Sequence, residues 1–242
     1  MPDRTLVDLA RMAALDALAV LLPVTCAGCG VPDRALCPEC RTTLDGPLIR
    51  GRLGASSNEH PSSPPPFDTV AAVAYESTVR NALLAFKEQG RTDVARALAV
   101  PFGRAAEVAL DDHRDRVPSA SGIVLCPVPQ GTASARARGY DPVRMLARRF
   151  TGHHVPPLLR RVGPARTQKL LGVEERLRNA RGTLQARHPL HGVDVLLIDD
   201  VVTSGATLLE AARAVREAGG AVIGAAALAA TPLRHPENRP PS

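Results

Sequence analysis

Hydrophobic and polar positions follow two periods along this chain. TVAAVAY (69–75), IVLCPV (123–128), VDVLLI (193–198) and AVIGAAALA (221–229) are short, nearly continuous apolar runs. Runs of that length predict strands buried on both faces of a sheet. Between them the period lengthens. From Val79 to Gln89 apolar residues fall at 79, 82, 83 and 86, which is one stripe of a helix. Asp93–Leu110 predicts a second helix, dented at Pro101, and Pro142–Phe150 and Gly205–Ala218 predict two more. Strands alternating with helices predict an α/β fold with a doubly wound parallel sheet. In such sheets ligands bind beyond the carboxyl ends of the strands.

The ends of the chain break this pattern. Leu6 to Val24 is rich in Leu, Ala and Val, but Asp8, Arg11 and Asp16 interrupt it. The uncharged run Ala17–Val24 is too short to span a bilayer. Thr25, before Cys26, is larger than a cleavage or lipoprotein site favours. Residues 1–24 are therefore expected to form an amphipathic helix on the domain, and the chain to be cytoplasmic. Residues 50–66, RGRLGASSNEHPSSPPP, carry Gly, Ser and Pro without apolar periodicity and predict a linker. It would divide a cysteine module at 25–49 from the main domain at 67–230. The tail at 231–242, beginning TPLRHPENRPPS, predicts disorder.

Charge sharpens the picture. The chain has 242 residues and a net charge of +6. Between Arg136 and Arg187 there are 13 Arg or Lys against 3 Asp or Glu, a local net of +10 that leaves −4 elsewhere. Such a concentration points to an anionic ligand, with a solvated Arg-rich surface as the alternative. Aromatic residues are only 2% of the chain, so base-stacking platforms are scarce.

CAGCGVPDRALCPEC places Cys26, Cys29, Cys37 and Cys40 as two C-x2-C pairs with seven residues between. Each pair suits a knuckle that turns two thiolates toward one point. Two knuckles close a four-thiolate site of the structural zinc kind, with no position left for substrate. Two disulfides and an iron–sulfur cluster are the alternatives. Cys126, inside IVLCPV, reads as a buried small hydrophobe.

VLLIDDVVTSGATLLE (195–210) carries the chemistry. Four apolar residues run into Asp199 and Asp200, and a loop of small residues then opens a helix. Successive backbone N–H groups in such a loop form an anion nest, reinforced by the helix N-terminus. Gly205 and Ala206 let a phosphate come close, and the hydroxyls of Thr203, Ser204 and Thr207 add donors. The spacing does not match G-x4-G-K-[ST], so a nucleoside-triphosphate loop is excluded. The acid pair beside the nest fits the vicinal hydroxyls of a ribose 5-phosphate. The alternative is a capped strand–turn–helix.

VLLIDDVVTSGAT resembles the phosphoribosyl-pyrophosphate signature of type I phosphoribosyltransferases. Other motifs resemble the ComF family of competence-associated phosphoribosyltransferase-like proteins: Cys26–Cys40, Lys87-Glu88-Gln89-Gly90-Arg91, Val128-Pro129 with Arg138-Gly139-Tyr140-Asp141, and ARTQKLLGVEERLRN at 165–179. Asp141-Pro142 stands where Asn-Gln is usual. The resemblance implies a sheet of the type I phosphoribosyltransferase kind with a small N-terminal zinc module. It implies phosphoribosyl pyrophosphate bound with Mg2+, and places Lys87 among the substrate-binding residues. The pyrophosphate would lie in the turn from Val128 and Pro129 to Tyr140, with Arg136 and Arg138. A loop over 160–179 would bring Arg166 and Arg176 to the leaving group, where Arg forks and Mg2+ stabilise the developing charge. Hypoxanthine–guanine enzymes of this superfamily carry an acid where Thr203 stands, which disfavours that substrate here.

Two functions are thus expected. One is transfer of phosphoribosyl to an acceptor. The other is a non-enzymatic phosphoribosyl-binding module of DNA uptake, with helicase or single-strand DNA-handling partners and direct nucleic-acid contact as a weaker option.

Overall fold

The computed structural model describes residues 24–32, 34–54, 65–116, 122–131, 138–162 and 179–231. The expected N-terminal helix and tail, most of the linker, and Arg136, Arg166 and Arg176 lie outside these residues.

Seven strands form two sheets among the described residues. They are β1 (Ile49–Leu53), β2 (Phe67–Ala74), β3 (Val124–Pro127), β4 (Leu159–Arg161), β5 (Leu184–Ala186), β6 (Asp194–Val202) and β7 (Ala221–Ala230). The main sheet has the order β1-β2-β7-β6-β3. β2, β7, β6 and β3 are parallel, and β1 is an antiparallel edge. β4 and β5 make a separate antiparallel hairpin. The helices are α1 (Pro38–Thr42), α2 (Ser77–Glu88), α3 (Ala95–Arg116), α4 (Pro142–Thr151) and α5 (Ala206–Glu217). This is the expected α/β sheet, with helices on both faces.

Alternation along β6 shows how the sheet is buried. Leu196 and Ile198 join the cluster formed with α2, α3 and α4. Val195 and Leu197 join the opposite cluster, built on α5 and the β4–β5 hairpin. All four are fully buried. At about 1.5–3 kcal/mol each, they offset the cost of carrying two carboxylates into the end of the same strand.

Three boundaries differ from the sequence pattern. β6 continues through Asp199 and Asp200 to Val202, because Asp199, Val201 and Val202 still pair with β7. Residues 50–53, expected in a linker, are strand, and they pair with β2. The cysteine segment is also joined to the core: Cys26, Leu36, Cys37, Cys40 and Leu44 are buried in one cluster with Val79, Leu83 and Phe86 of α2. Cys126 is fully buried, as expected. Among the described residues no helix is long and apolar enough to cross a membrane.

Candidate functional site

The parallel strands end along one edge, and Lys87, Val128, Pro129, Asp199, Asp200 and the loop at 203–207 lie there. Asp199 and Asp200 are both buried at the end of β6. Their side chains find different partners. Asp200 Oδ1 receives the Lys87 ammonium at 2.8 Å, from the last turn of α2. Its Oδ2 is buried and without a partner among the described residues. Asp199 Oδ1 accepts the Asp200 backbone N–H at 2.8 Å and the Gln130 amide at 3.4 Å. Burial pushes the Asp199 carboxyl well above the usual range, and the Asp200 charge adds to this. Burial works against the Lys87 ammonium, but Asp200 and Asp199 more than offset it, so its pKa is raised.

The loop after β6 has the expected form. Gly205 has φ 71° and is buried, and a Cβ there would run into the Leu53 side chain. Only glycine suits both demands. Gly205 makes no side-chain cap to α5, so the helix opens with its first N–H groups uncapped by a side chain. Ala206 is buried, Ser204 and Thr207 are half-buried, and Thr203 is exposed. The loop thus brings the uncapped N-terminus of α5 within a few residues of the two carboxylates.

Val128 and Pro129 follow β3 directly, and the Val128 N–H donates to Ile198 O at 3.0 Å. Arg138 does more than line a turn. Its Nη1 donates to the Lys87 carbonyl at 2.9 Å, at the C-terminus of α2. Its Nε and Nη2 are buried without partners among the described residues. Tyr140 donates its hydroxyl to the Phe86 carbonyl. Asp141 caps α4 through the Arg144 N–H at 3.1 Å.

The second site is the cysteine cluster. The four sulfurs of Cys26, Cys29, Cys37 and Cys40 lie within 4.8 Å of one another, and Cys29 and Cys37 are 3.6 Å apart. A tetrahedral zinc with Zn–S of about 2.3 Å separates its sulfurs by about 3.8 Å. All five cysteines are free thiols. The Cys37 N–H donates to Cys26 Sγ at 3.3 Å, and the Cys40 N–H to Cys37 Sγ at 3.4 Å. Burial acts to raise the Cys26 thiol, but N–H groups of Cys37, Cys29 and Gly28 outweigh it and bring the pKa to about 6. Burial and the neighbouring thiols push Cys40 the other way. Four thiols this close ionise together only around a cation. The donor set fits a structural metal such as zinc.

The phosphoribosyl transferase domain family matches residues 158–241. Competence protein ComFC of Bacillus subtilis is 27% identical over 201 residues, covering 81% of this chain and 73% of that protein. DNA utilization protein YhgH of Salmonella typhi is 25% identical over 195 residues, covering 78% and 81%. Together these matches support a likeness to ComF-like type I phosphoribosyltransferases. Transcriptional regulator GfcR of Halobacterium salinarum is also similar, at 29% over 162 residues, covering 67% of this chain and 68% of that protein.

The chain also holds residues at this edge that the sequence pattern did not single out within their segments. Gln130 touches Asp199. Arg161, on β4, donates Nε to the Pro129 carbonyl at 3.0 Å. Burial lowers its pKa, and the charges of Asp199 and Glu210 act against that. Its charge is thus held at the Pro129 turn, within electrostatic reach of Asp199 and Glu210. One of 13 cations in a basic segment, it had no spacing to set it apart. Glu210 and Arg213 of α5 grip the hairpin from below: Glu210 Oε1 accepts the Leu184 N–H at 2.9 Å, and Arg213 donates to Leu184 O at 2.7 Å.

Proposed function

We propose that this chain binds 5-phosphoribosyl pyrophosphate with Mg2+ and transfers the phosphoribosyl group to an acceptor. The observation that carries this reading is the join between Asp199–Asp200 and the open N-terminus of α5 through Thr203–Thr207. The 5′-phosphate would sit on the N–H groups of Gly205, Ala206 and Thr207, with the hydroxyls of Thr203, Ser204 and Thr207 as further donors. The ribose hydroxyls would donate to the acid pair, where Asp200 Oδ2 has acceptor capacity to spare. Pyrophosphate would face Val128, Pro129, Arg136 and Arg138. Mg2+ would arrive with the pyrophosphate and neutralise part of its charge, and Asp199 and Asp200 are oxygen donors of the type it takes.

In the transfer, the bond from C1 to the pyrophosphate oxygen breaks and its electron pair leaves with pyrophosphate. The acceptor's lone pair forms the new bond to C1. Arg166 and Arg176 are proposed to meet the charge that develops on the leaving group. Arg166→Ala or Arg176→Ala is expected to weaken phosphoribosyl-pyrophosphate binding more than ribose 5-phosphate binding, by about 10- to 150-fold. The test of turnover is pyrophosphate release by the purified protein with a panel of bases and amines. Release with one acceptor and none without it supports transfer.

A second reading has its own support: one relative is named a transcriptional regulator. A phosphoribosyl site can serve as a sensor without turnover. The names of the competence and DNA utilization relatives support a role of such a module in competence or DNA use, and we place it in the cytoplasm, beside a helicase or single-strand DNA-handling proteins. Sugar-phosphate binding with no pyrophosphate release across the panel favours this reading. If the arginines face DNA instead, DNA affinity falls steeply with salt, and the slope shrinks by about one unit per arginine removed.

A further inference from the structure

α2 stands between the two sites and touches both. On its module side, the Asn81 amide donates to Gly28 O, in the first cysteine knuckle, at 3.0 Å. The knuckle also presses on the helix directly. A Cβ at Gly28 would lie 2.7 Å from Thr78 Cγ2 and 2.7 Å from Cys40 Sγ, so the position admits only glycine. Just beyond the helix, Arg91 donates to Thr25 O at 2.9 Å while its guanidinium also holds Asp93. At this same C-terminal end, on the side of the acid pair, Lys87 reaches Asp200, and Arg138 and Tyr140 cap the last carbonyls.

The helix does little to fix its own start. Glu76 gives it no side-chain cap, and Ser77 has φ 32°, a conformation that costs a non-glycine residue free energy. Contacts from outside must hold it there. Among them are those of the cysteine module, which shares one buried cluster with Val79, Leu83 and Phe86.

We propose that the four-cysteine module positions Lys87 against Asp200 through α2, with Asn81 and Arg91 as the positioning residues. The module thereby sets the counter-charge of the buried acid pair, although it lies apart from any ligand there. Loosening the module lets the last turn of α2 drift, and the Lys87–Asp200 pair opens.

Lys87 and Lys169 are the two lysines of the chain, so their modification can be followed separately. The experiment is timed acylation of the full chain with an amine-reactive reagent, read at Lys87 by peptide mass spectrometry with Lys169 as reference. The Asn81→Ala/Arg91→Ala variant keeps all four cysteines, and its metal content is measured alongside. It is expected to be acylated at Lys87 about fivefold faster or more, as the loss of two hydrogen bonds implies. If that variant does not fold, Asn81→Ser is expected to give about twofold or more. Unchanged acylation at Lys87 in the folded variant overturns the proposal.

A second arm rests on the sugar-phosphate reading above. Ribose 5-phosphate affinity should fall in the Asn81→Ala/Arg91→Ala protein but change little when the same substitutions are made in Lys87→Met. Equal losses in both backgrounds overturn the positioning role. If wild type binds no ribose 5-phosphate while acylation still responds, the ligand reading fails and this inference stands.

Discussion

Four cysteines spread over 15 residues make one of the two sites in this chain, while the other draws on residues from Lys87 to Thr207. The cysteine cluster is local. Two knuckles close it with backbone N–H groups from the same segment, at Cys37 and Cys40. The acid-pair site is assembled by the sheet. β6 brings Asp199 and Asp200, α2 brings Lys87, the turn after β3 brings Gln130, and β4 brings Arg161. A local site can be read from spacing. An assembled site depends on the whole fold and on every element that holds a contributor in place.

The difference predicts a graded response to substitution. Cys40→Ala should have the largest effect. Structural zinc contributes about 10–16 kcal/mol to the folding of small zinc peptides, so loss of one ligand is expected to strip the ion. Metal content should fall to near zero. Hydrogen exchange should rise in residues 24–45 and also in α2, because the two share one cluster. Exchange confined to 24–45 would break the link between the two sites.

Lys87→Met comes next. It leaves the buried Asp200 without its counter-charge, at a cost of about 3–5 kcal/mol in urea unfolding. Adding Asp200→Asn should recover most of that, because the uncompensated charge is then gone. A double variant as unstable as Lys87→Met would show that the ammonium matters for packing alone.

Arg161→Met should be milder and specific to the ligand. Its charge is held at the Pro129 turn, within electrostatic reach of Asp199, so the substitution should weaken phosphoribosyl-pyrophosphate binding about tenfold or more and ribose 5-phosphate binding less. Equal effects on both ligands would place Arg161 at the sugar instead.

The smallest effect is a dependence on pH. The folded state keeps the Asp199 proton to higher pH than the unfolded chain, whose aspartates titrate near about 3.9. The stability from this group is therefore complete below that value and is lost as pH rises through the folded pKa. Asp141, also raised by burial, acts in the same direction. Without ligand, unfolding free energy measured in urea should decline less with rising pH in Asp199→Asn than in wild type. Parallel curves would contradict this.

Much of this was legible in the sequence. The apolar run at 193–198, the acid pair and the small-residue loop are contiguous, so local pattern sufficed. The cysteine spacing sufficed likewise. β1 was not legible, because IRGRL alternates two apolar residues with Gly and Arg at a half-exposed edge. β4 and β5 have three residues each, too few to show a period. Gln130 touches Asp199, and Arg161 comes within electrostatic reach of it, only through strand order, which no spacing encodes. The docking of the cysteine segment on α2 depends on Gly28 and Asn81, which are 53 residues apart.

The most direct test is calorimetry with phosphoribosyl pyrophosphate and Mg2+ on wild type and on Asp199→Asn/Asp200→Asn, with metal content shown equal in both. Saturable one-site binding to wild type, lost or weakened at least about tenfold in the variant, is predicted from the acid pair's role as ribose acceptor. Equal affinity in both proteins, or no binding to wild type, would contradict it.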